Sequence, residues 1–291
     1  MNHVKHSEKP AMWLESHEYP FTVRTAEVNG HTIGYVDEGE GPVYLLIQAG
    51  QWSYVYRDVI SRLAHHGRVI ALDFPGAGLS PEPESEVGLG DLADLLEGFA
   101  EQLRLSDVVL VMHDISGIAG SAFAVRHPDL ISGIVYANTF GWDPDKASLR
   151  LMLRVVSSAP SRALAWLTNW MLRLSASTFG SGRHWDGPAR RLFRAAGMPR
   201  SRRTRSLRLF RQALAHPPIF AEIEAGRDGV RGTPALTIFG EKNDLYGFVK
   251  RHTEHHDDIE SIVVRKGNHF PMGDAPDLFV SAVVDWSERK R

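Results

Sequence analysis

Phe21 to Val28 and His31 to Asp37 are two strand-like runs joined at Asn29-Gly30, a dipeptide that accepts the positive φ angles of a tight hairpin. The chain therefore opens with two antiparallel strands. Val43 to Ile47, Arg68 to Leu72, Val108 to Met112, Ile131 to Ala137, Ala235 to Gly240 and Ile262 to Arg265 are short, largely apolar runs of the kind buried inside a sheet. Between them lie helical periodicities: Tyr54 to His66, a stripe of Leu92, Leu95, Leu96, Phe99 and Leu103, the small-residue segment Ile115 to His127, and a closing helix from Pro276 to about Glu288. Strand and helix in alternation predict an α/β protein with a mostly parallel central sheet and helices on both faces.

From Gly141 to Gly232 the strand signal stops, and helical leucine and tryptophan patterns broken by Gly and Pro take over. This predicts an inserted helical cap at 141–232, with the core in two parts, 1–140 and 233–291. Residues 147–231 carry sixteen arginines against four acids (Asp186, Glu222, Glu224 and Asp228), although the whole chain has a net charge of −2. Exposed helices whose arginine stems cover apolar surface account for such an excess, and so does a cap that attracts an anionic substrate. The run Arg200 to Arg205 leads into a helix with Leu207, Phe210 and Leu214 on one face, expected to dock on the core.

Near-neutral overall charge gives no reason to expect nucleic acid as a partner. With no cysteine, disulfides, thiolate nucleophiles and thiolate metal sites are excluded. The polar Met1–Pro10 segment lacks the core of a signal peptide, and no apolar run suffices for a membrane span, so the cytoplasm is the expected compartment. His252, His255 and His256 are read as exposed helix-end polarity. No metal or other cofactor is expected. Nothing in the sequence points to a particular oligomeric state.

Reactive residues in parallel sheets collect at the carboxyl ends of the strands. Asp114 follows Val108 to Met112, Asp244 follows Ala235 to Gly240, and His269 follows Ile262 to Arg265, which is the order nucleophile, acid, histidine of the α/β-hydrolase triad. Ser116 and Gly117 are the small neighbours that a sharp strand-to-helix turn at Asp114 needs. Ser116 is the rival nucleophile, but it would put Ile118 where a small residue is wanted.

The chain resembles the haloalkane dehalogenase branch of the α/β-hydrolase superfamily, related to soluble epoxide hydrolases. The resemblance rests on Tyr19-Pro20-Phe21, Glu27-Val28-Asn29-Gly30, Tyr35-Val36-Asp37-Glu38-Gly39, Gly41-Pro42, Trp52-Ser53-Tyr54 with Arg57, and Asp73-Phe74-Pro75-Gly76 with Gly78-Leu79-Ser80. His113-Asp114, Arg126-His127-Pro128-Asp129 and Gly267-Asn268-His269-Phe270 complete it. It implies an α/β-hydrolase fold and a small-molecule substrate. Asp114 would attack an electrophilic carbon to form an ester, His269 would activate water to hydrolyse it, and Asp244 would hold and compensate the imidazolium. Ile115 N–H is the expected first oxyanion donor, with a second from the turn around Ala49 or Gly50.

Three departures from the family pattern bear on the chemistry. Ile115 stands where a halide-binding tryptophan is usual, and Gln48-Ala49-Gly50-Gln51 replaces a turn that carries a halide-binding asparagine. Gln48, Gln51, Trp52 and the cap tryptophans Trp142, Trp166, Trp170 and Trp185 are the candidate substitutes. Asn243 occupies the usual place of the acid, so Asp244 is expected to serve by a one-residue insertion, and Asn138 stands where some relatives carry a glutamate. None of the seven tyrosines lies in the insertion, which disfavours the usual epoxide chemistry. A lactone or another ester-like substrate meets neither objection. A non-catalytic ligand-binding protein on the same fold is the alternative of another class.

Overall fold

Residues 17–291 are described by the computed structural model; Met1–Pro10, read above, lies outside them. The strands are β1 (Val23–Val28), β2 (His31–Glu38), β3 (Val43–Gln48), β4 (Arg68–Asp73), β5 (Val108–Asp114), β6 (Ile131–Thr139), β7 (Ala235–Gly240) and β8 (Ile259–Val264). They form one eight-stranded sheet in the order β1-β2-β4-β3-β5-β6-β7-β8. Only the β1–β2 and β2–β4 pairings are antiparallel. Asn29 and Gly30 both have positive φ, as the hairpin requires.

Three helices follow in the first part of the chain: α1 (Arg57–Leu63), α2 (Leu89–Leu103) and α3 (Ser116–Arg126). Six lie between β6 and β7: α4 (Ala147–Val156), α5 (Ala159–Thr168), α6 (Trp170–Ser175), α7 (Gly187–Ala195), α8 (Arg205–Ala213) and α9 (Ile219–Val230). The chain ends with α10 (Phe248–His255), α11 (Pro271–Asp274) and α12 (Pro276–Lys290). One core lies between the sheet and α2, α3 and α9, the other between the sheet and α1 and α12. This is the expected α/β architecture, a mostly parallel sheet with helices on both faces.

Several boundaries differ from expectation for local reasons. The helix expected from Tyr54 opens as a 3-10 turn, Ser53–Tyr56, before α1 begins. β8 starts three residues before its apolar stretch, because at the sheet edge Glu260 and Ser261 pair with β7 without being buried. The last helix of the expected cap, α9, lies on α3, with Gly226 against Val125 and Arg126 paired to Glu222. Leu207 on α8 is buried, as expected of a docking helix.

The histidine cluster requires a correction, since His252 and His256 are buried rather than exposed. His252 stacks on Tyr136 and Trp142 and donates from Nε2 to the Thr139 carbonyl at 2.9 Å. One turn of amphipathic helix at the end of the sheet buries these rings, and desolvation pushes His252 down to about 3 and His255 to about 4.

Candidate active site

Chain order reverses across β3: the next strand, β4, lies on one side of it and β5 on the other. A crevice opens where such a reversal occurs, at the carboxyl ends of the two strands that part. The residues there are Gln48 and Asp114. Asp114 has a φ of 56°, a left-handed conformation uncommon outside glycine, and the β5–β6 register slips between His113 and Asp114. Thr139 Oγ1 donates to the Asp114 carbonyl at 2.5 Å, and a Cβ on Gly117 would lie 2.0 Å from that same Oγ1. A glycine at 117 is therefore what lets the turn close.

The Asp114 carboxylate faces a cavity of about 410 Å³ roofed by α4, α6 and α8. Most of its wall is apolar, including Phe140, Leu153, Met171, Phe210 and Phe248, and no arginine or lysine lines it. His269 Nε2 stands 3.8 Å from Asp114 Oδ2, with the two side chains 35 % and 15 % exposed. Burial pushes the Asp114 carboxyl up, but the proximity of His269 and the Ile115 N–H outweigh it and hold the group below its ordinary value. Asp114 is thus kept ionised. Ser116 is wholly buried, its Oγ 2.6 Å from the His113 carbonyl and 3.1 Å from that of Ile47, and it does not line the cavity.

Asp244 does not reach the histidine. Its Oδ1 accepts the N–H of Phe248 at 2.5 Å, at the start of α10, and Asn243 faces the ring instead, with Oδ1 3.2 Å from His269 Nδ1. Asn243 N–H closes a tight turn on the Gly240 carbonyl at 2.8 Å, which turns residue 243 inward and carries residue 244 past the site. The expectation of a one-residue insertion is therefore corrected. Asn138, the other position considered for an acid, is bonded at both ends: Nδ2 donates to the Asn268 carbonyl at 2.8 Å, and Oδ1 accepts the Gly240 N–H at 3.0 Å.

The residues expected as oxyanion or leaving-group donors separate by environment. Gly50 N–H already donates to Gln48 Oε1 at 2.9 Å, which removes it as a free donor, while a Cβ at Gly50 would come within 2.3 Å of Asp114 Oδ2. Gln48 is fully buried, and its Nε2 lies 2.6 Å from His113 Nδ1. His113 Nε2 in turn lies 2.8 Å from the His269 carbonyl. Burial pushes His113 down to about 3, so the ring is neutral, accepts at Nδ1 and donates at Nε2. This relay joins the turn after β3 to the backbone of His269. Sequence reading missed it, although His113 stands next to Asp114.

Ala49 is buried, and its carbonyl accepts from Arg205 Nη1, while Arg205 Nε donates to the Pro75 carbonyl at 2.9 Å. α8 is thereby tied to two turns at the cavity floor. Gln51 lines the cavity, with Nε2 donating to Ser175 Oγ at 2.5 Å. Trp52 is corrected to a packing role: its N–H donates to the Phe193 carbonyl at 3.1 Å and its ring stacks on Tyr54. Trp170 lines the cavity but donates to the Ser161 carbonyl at 3.1 Å. Trp142 and Trp185 are buried away from it, and Trp166 carries Arg200 over its ring. Among the described residues, no tryptophan offers an unengaged N–H to the cavity.

The family model described as "Alpha/beta hydrolase family" matches residues 41–282. The chain belongs to this family. It is 28% identical over 273 residues to haloalkane dehalogenase 2 of Mycobacterium tuberculosis, covering 92% of this chain and 95% of that one. Over 140 residues it is 33% identical to a cis-3-alkyl-4-alkyloxetan-2-one decarboxylase of Shewanella oneidensis, covering 46% of this chain and 44% of the other. A haloalkane dehalogenase from Bradyrhizobium elkani superposes with a TM-score of 0.80 at 20% identity, covering 93% of this alpha/beta hydrolase and 98% of that structure.

Proposed function

We propose that this enzyme hydrolyses a small, largely apolar electrophile through an ester on Asp114. The observation that carries the reading is an ionised carboxylate at the floor of an apolar cavity, with His269 Nε2 3.8 Å away. An Asp114 oxygen attacks an sp³ carbon, and the bond to the leaving group breaks with its electron pair. His269 Nε2 then takes a proton from water as the hydroxide adds to the Asp114 carbonyl carbon. Ile115 N–H faces the oxyanion that forms; it collapses as the departing alkoxide takes the proton from His269 and leaves as the alcohol, and the Asp114 carboxyl then loses its own proton to solvent, which restores the carboxylate.

The dehalogenase relatives favour a halide as leaving group. A strained cyclic ester is the second reading, favoured by the engaged tryptophan N–H groups, which leave a departing halide without its usual donors, and by the relative named as an oxetan-2-one decarboxylase. Opening a lactone at carbon leaves a carboxylate on the substrate itself, so no separate ion must be held in the dry pocket.

Incubating His269→Ala with a haloalkane panel and with a β-lactone, then weighing the intact protein, is the test. An adduct mapped to Asp114 supports the reading, and the substrate that yields it identifies the leaving group. An adduct on Ser116, or product formation that persists in Asp114→Asn, overturns it. Wild-type protein that binds these compounds unchanged is instead a non-catalytic binding protein.

A further inference from the structure

We propose that the outer face of the cap around the cavity mouth docks on the surface of an anionic lipid bilayer. α4 is apolar on both sides: Leu149 and Leu153 are buried beneath it, while Leu151, Met152 and Val155 are exposed, Val155 by 60 %. A surface helix normally shows water a polar face, whereas here exposed Leu151, Met152 and Val155 share that face with Arg154, a mix of apolar and basic side chains that marks a contact surface. The apolar surface continues to the site, because Met152, Leu174, Phe179 and Leu245 are exposed and also line the cavity that holds Asp114. Phe179 is 77 % exposed at this rim.

Charge selects the partner. Residues 147–185 hold five arginines and no acid. Arg154 and Arg173 are exposed and, among the described residues, pair with no carboxylate. The arginines are not a substrate clamp, since none lines the cavity. A second copy of the chain across a two-fold axis would set arginine against arginine, whereas anionic headgroups complement them and accept the apolar side chains between them. No helix among the described residues is long and apolar enough to cross a membrane, so the contact is peripheral. Such docking opens the cavity toward the acyl region, from which an apolar substrate can enter without crossing water.

Co-sedimentation of the full chain with phosphatidylcholine vesicles and with mixed phosphatidylcholine–phosphatidylglycerol vesicles tests this without any substrate, so it stands or falls apart from the Asp114 reading. Binding to the mixed vesicles only, weakened by salt, is expected. Leu151→Ser/Val155→Ser and, separately, Arg154→Glu/Arg173→Glu are each expected to lower it at least about tenfold with an unchanged unfolding temperature. These four residues do not line the cavity. Wild-type protein that stays in the supernatant with both vesicles overturns the proposal, as does undiminished binding by both variants. So does a dimer in light scattering that Leu151→Ser/Val155→Ser converts to monomer, which would make this face a self-interface.

Discussion

His269 turns its Nδ1 to the Oδ1 of Asn243, 3.2 Å away, and, among the described residues, to no carboxylate. An amide oxygen can hold the Nδ1–H and so keep the Nε2 lone pair directed at the site, but it cannot compensate the charge that appears when Nε2 takes a proton. The water step is therefore expected to be the slow one. Asn243→Asp is expected to speed hydrolysis of the Asp114 ester at least about tenfold, within a ceiling of about 10⁴. Single-turnover kinetics should show ester formation unchanged and its decay faster. An unchanged decay would mean that the amide already suffices.

Gly50 is fixed by the carboxylate it faces. A Cβ there would lie 2.3 Å from Asp114 Oδ2, so Gly50→Ala must displace that carboxylate. A loss of about a hundredfold in the rate of ester formation is expected, because a shift of about 1 Å in a reacting group costs that much. The unfolding temperature should barely change, which separates this effect from misfolding.

Gln48 bridges the Gly50 N–H and the His113 ring in a fully buried position. Gln48→Leu leaves a buried donor and a buried acceptor without partners, at about 1 to 3 kcal/mol each. Urea unfolding should read a loss of about 2 to 5 kcal/mol. Activity should fall as well, since the relay ends on the backbone of His269.

Acid should destabilise the protein well above the range in which ordinary carboxylates titrate. Burial pushes His113 and His252 down to about 3, while in the unfolded chain each titrates near 6.5. Between those values the unfolded state binds more protons, so stability falls as pH drops below about 6.5. Asp73, which burial pushes up to about 6, acts oppositely between about pH 4 and 6, because there the folded state holds the extra proton. Half-buried His255, pushed down to about 4, adds to the loss, so the three histidines outweigh one carboxyl, and a net loss of about 3 to 4 kcal/mol between pH 7 and 5 is expected from denaturant midpoints. A flat profile would show that the rings are hydrated.

The sequence made most of the fold legible. Apolar runs at Val43, Val108 and Ala235 read as buried strands, and Asn29-Gly30 read as a hairpin, because local pattern alone determines such elements. β8 was foreshortened, since a strand whose first residues are half-exposed lacks the apolar signal. At the site, the strand ends placed Asp114 and His269 near one another. Choosing between Asn243 and Asp244 required the direction of a four-residue turn, which composition does not encode. The Gln48–His113–His269 relay spans 65 and then 156 residues of chain and leaves no local trace.

The two asparagines near His269 offer different prospects to anyone wishing to restore a charged partner. Asn243 contributes only its oxygen to the ring, so an aspartate there preserves what the position already does. Asn138 works as a double-ended clasp, gripping the ends of two strands and the loop that carries the histidine, and one of its grips requires a donor. A carboxylate at 138 would let go of the Asn268 carbonyl and loosen the very loop it was meant to serve. Only one of the two positions can accept the charge without giving up the histidine's foothold.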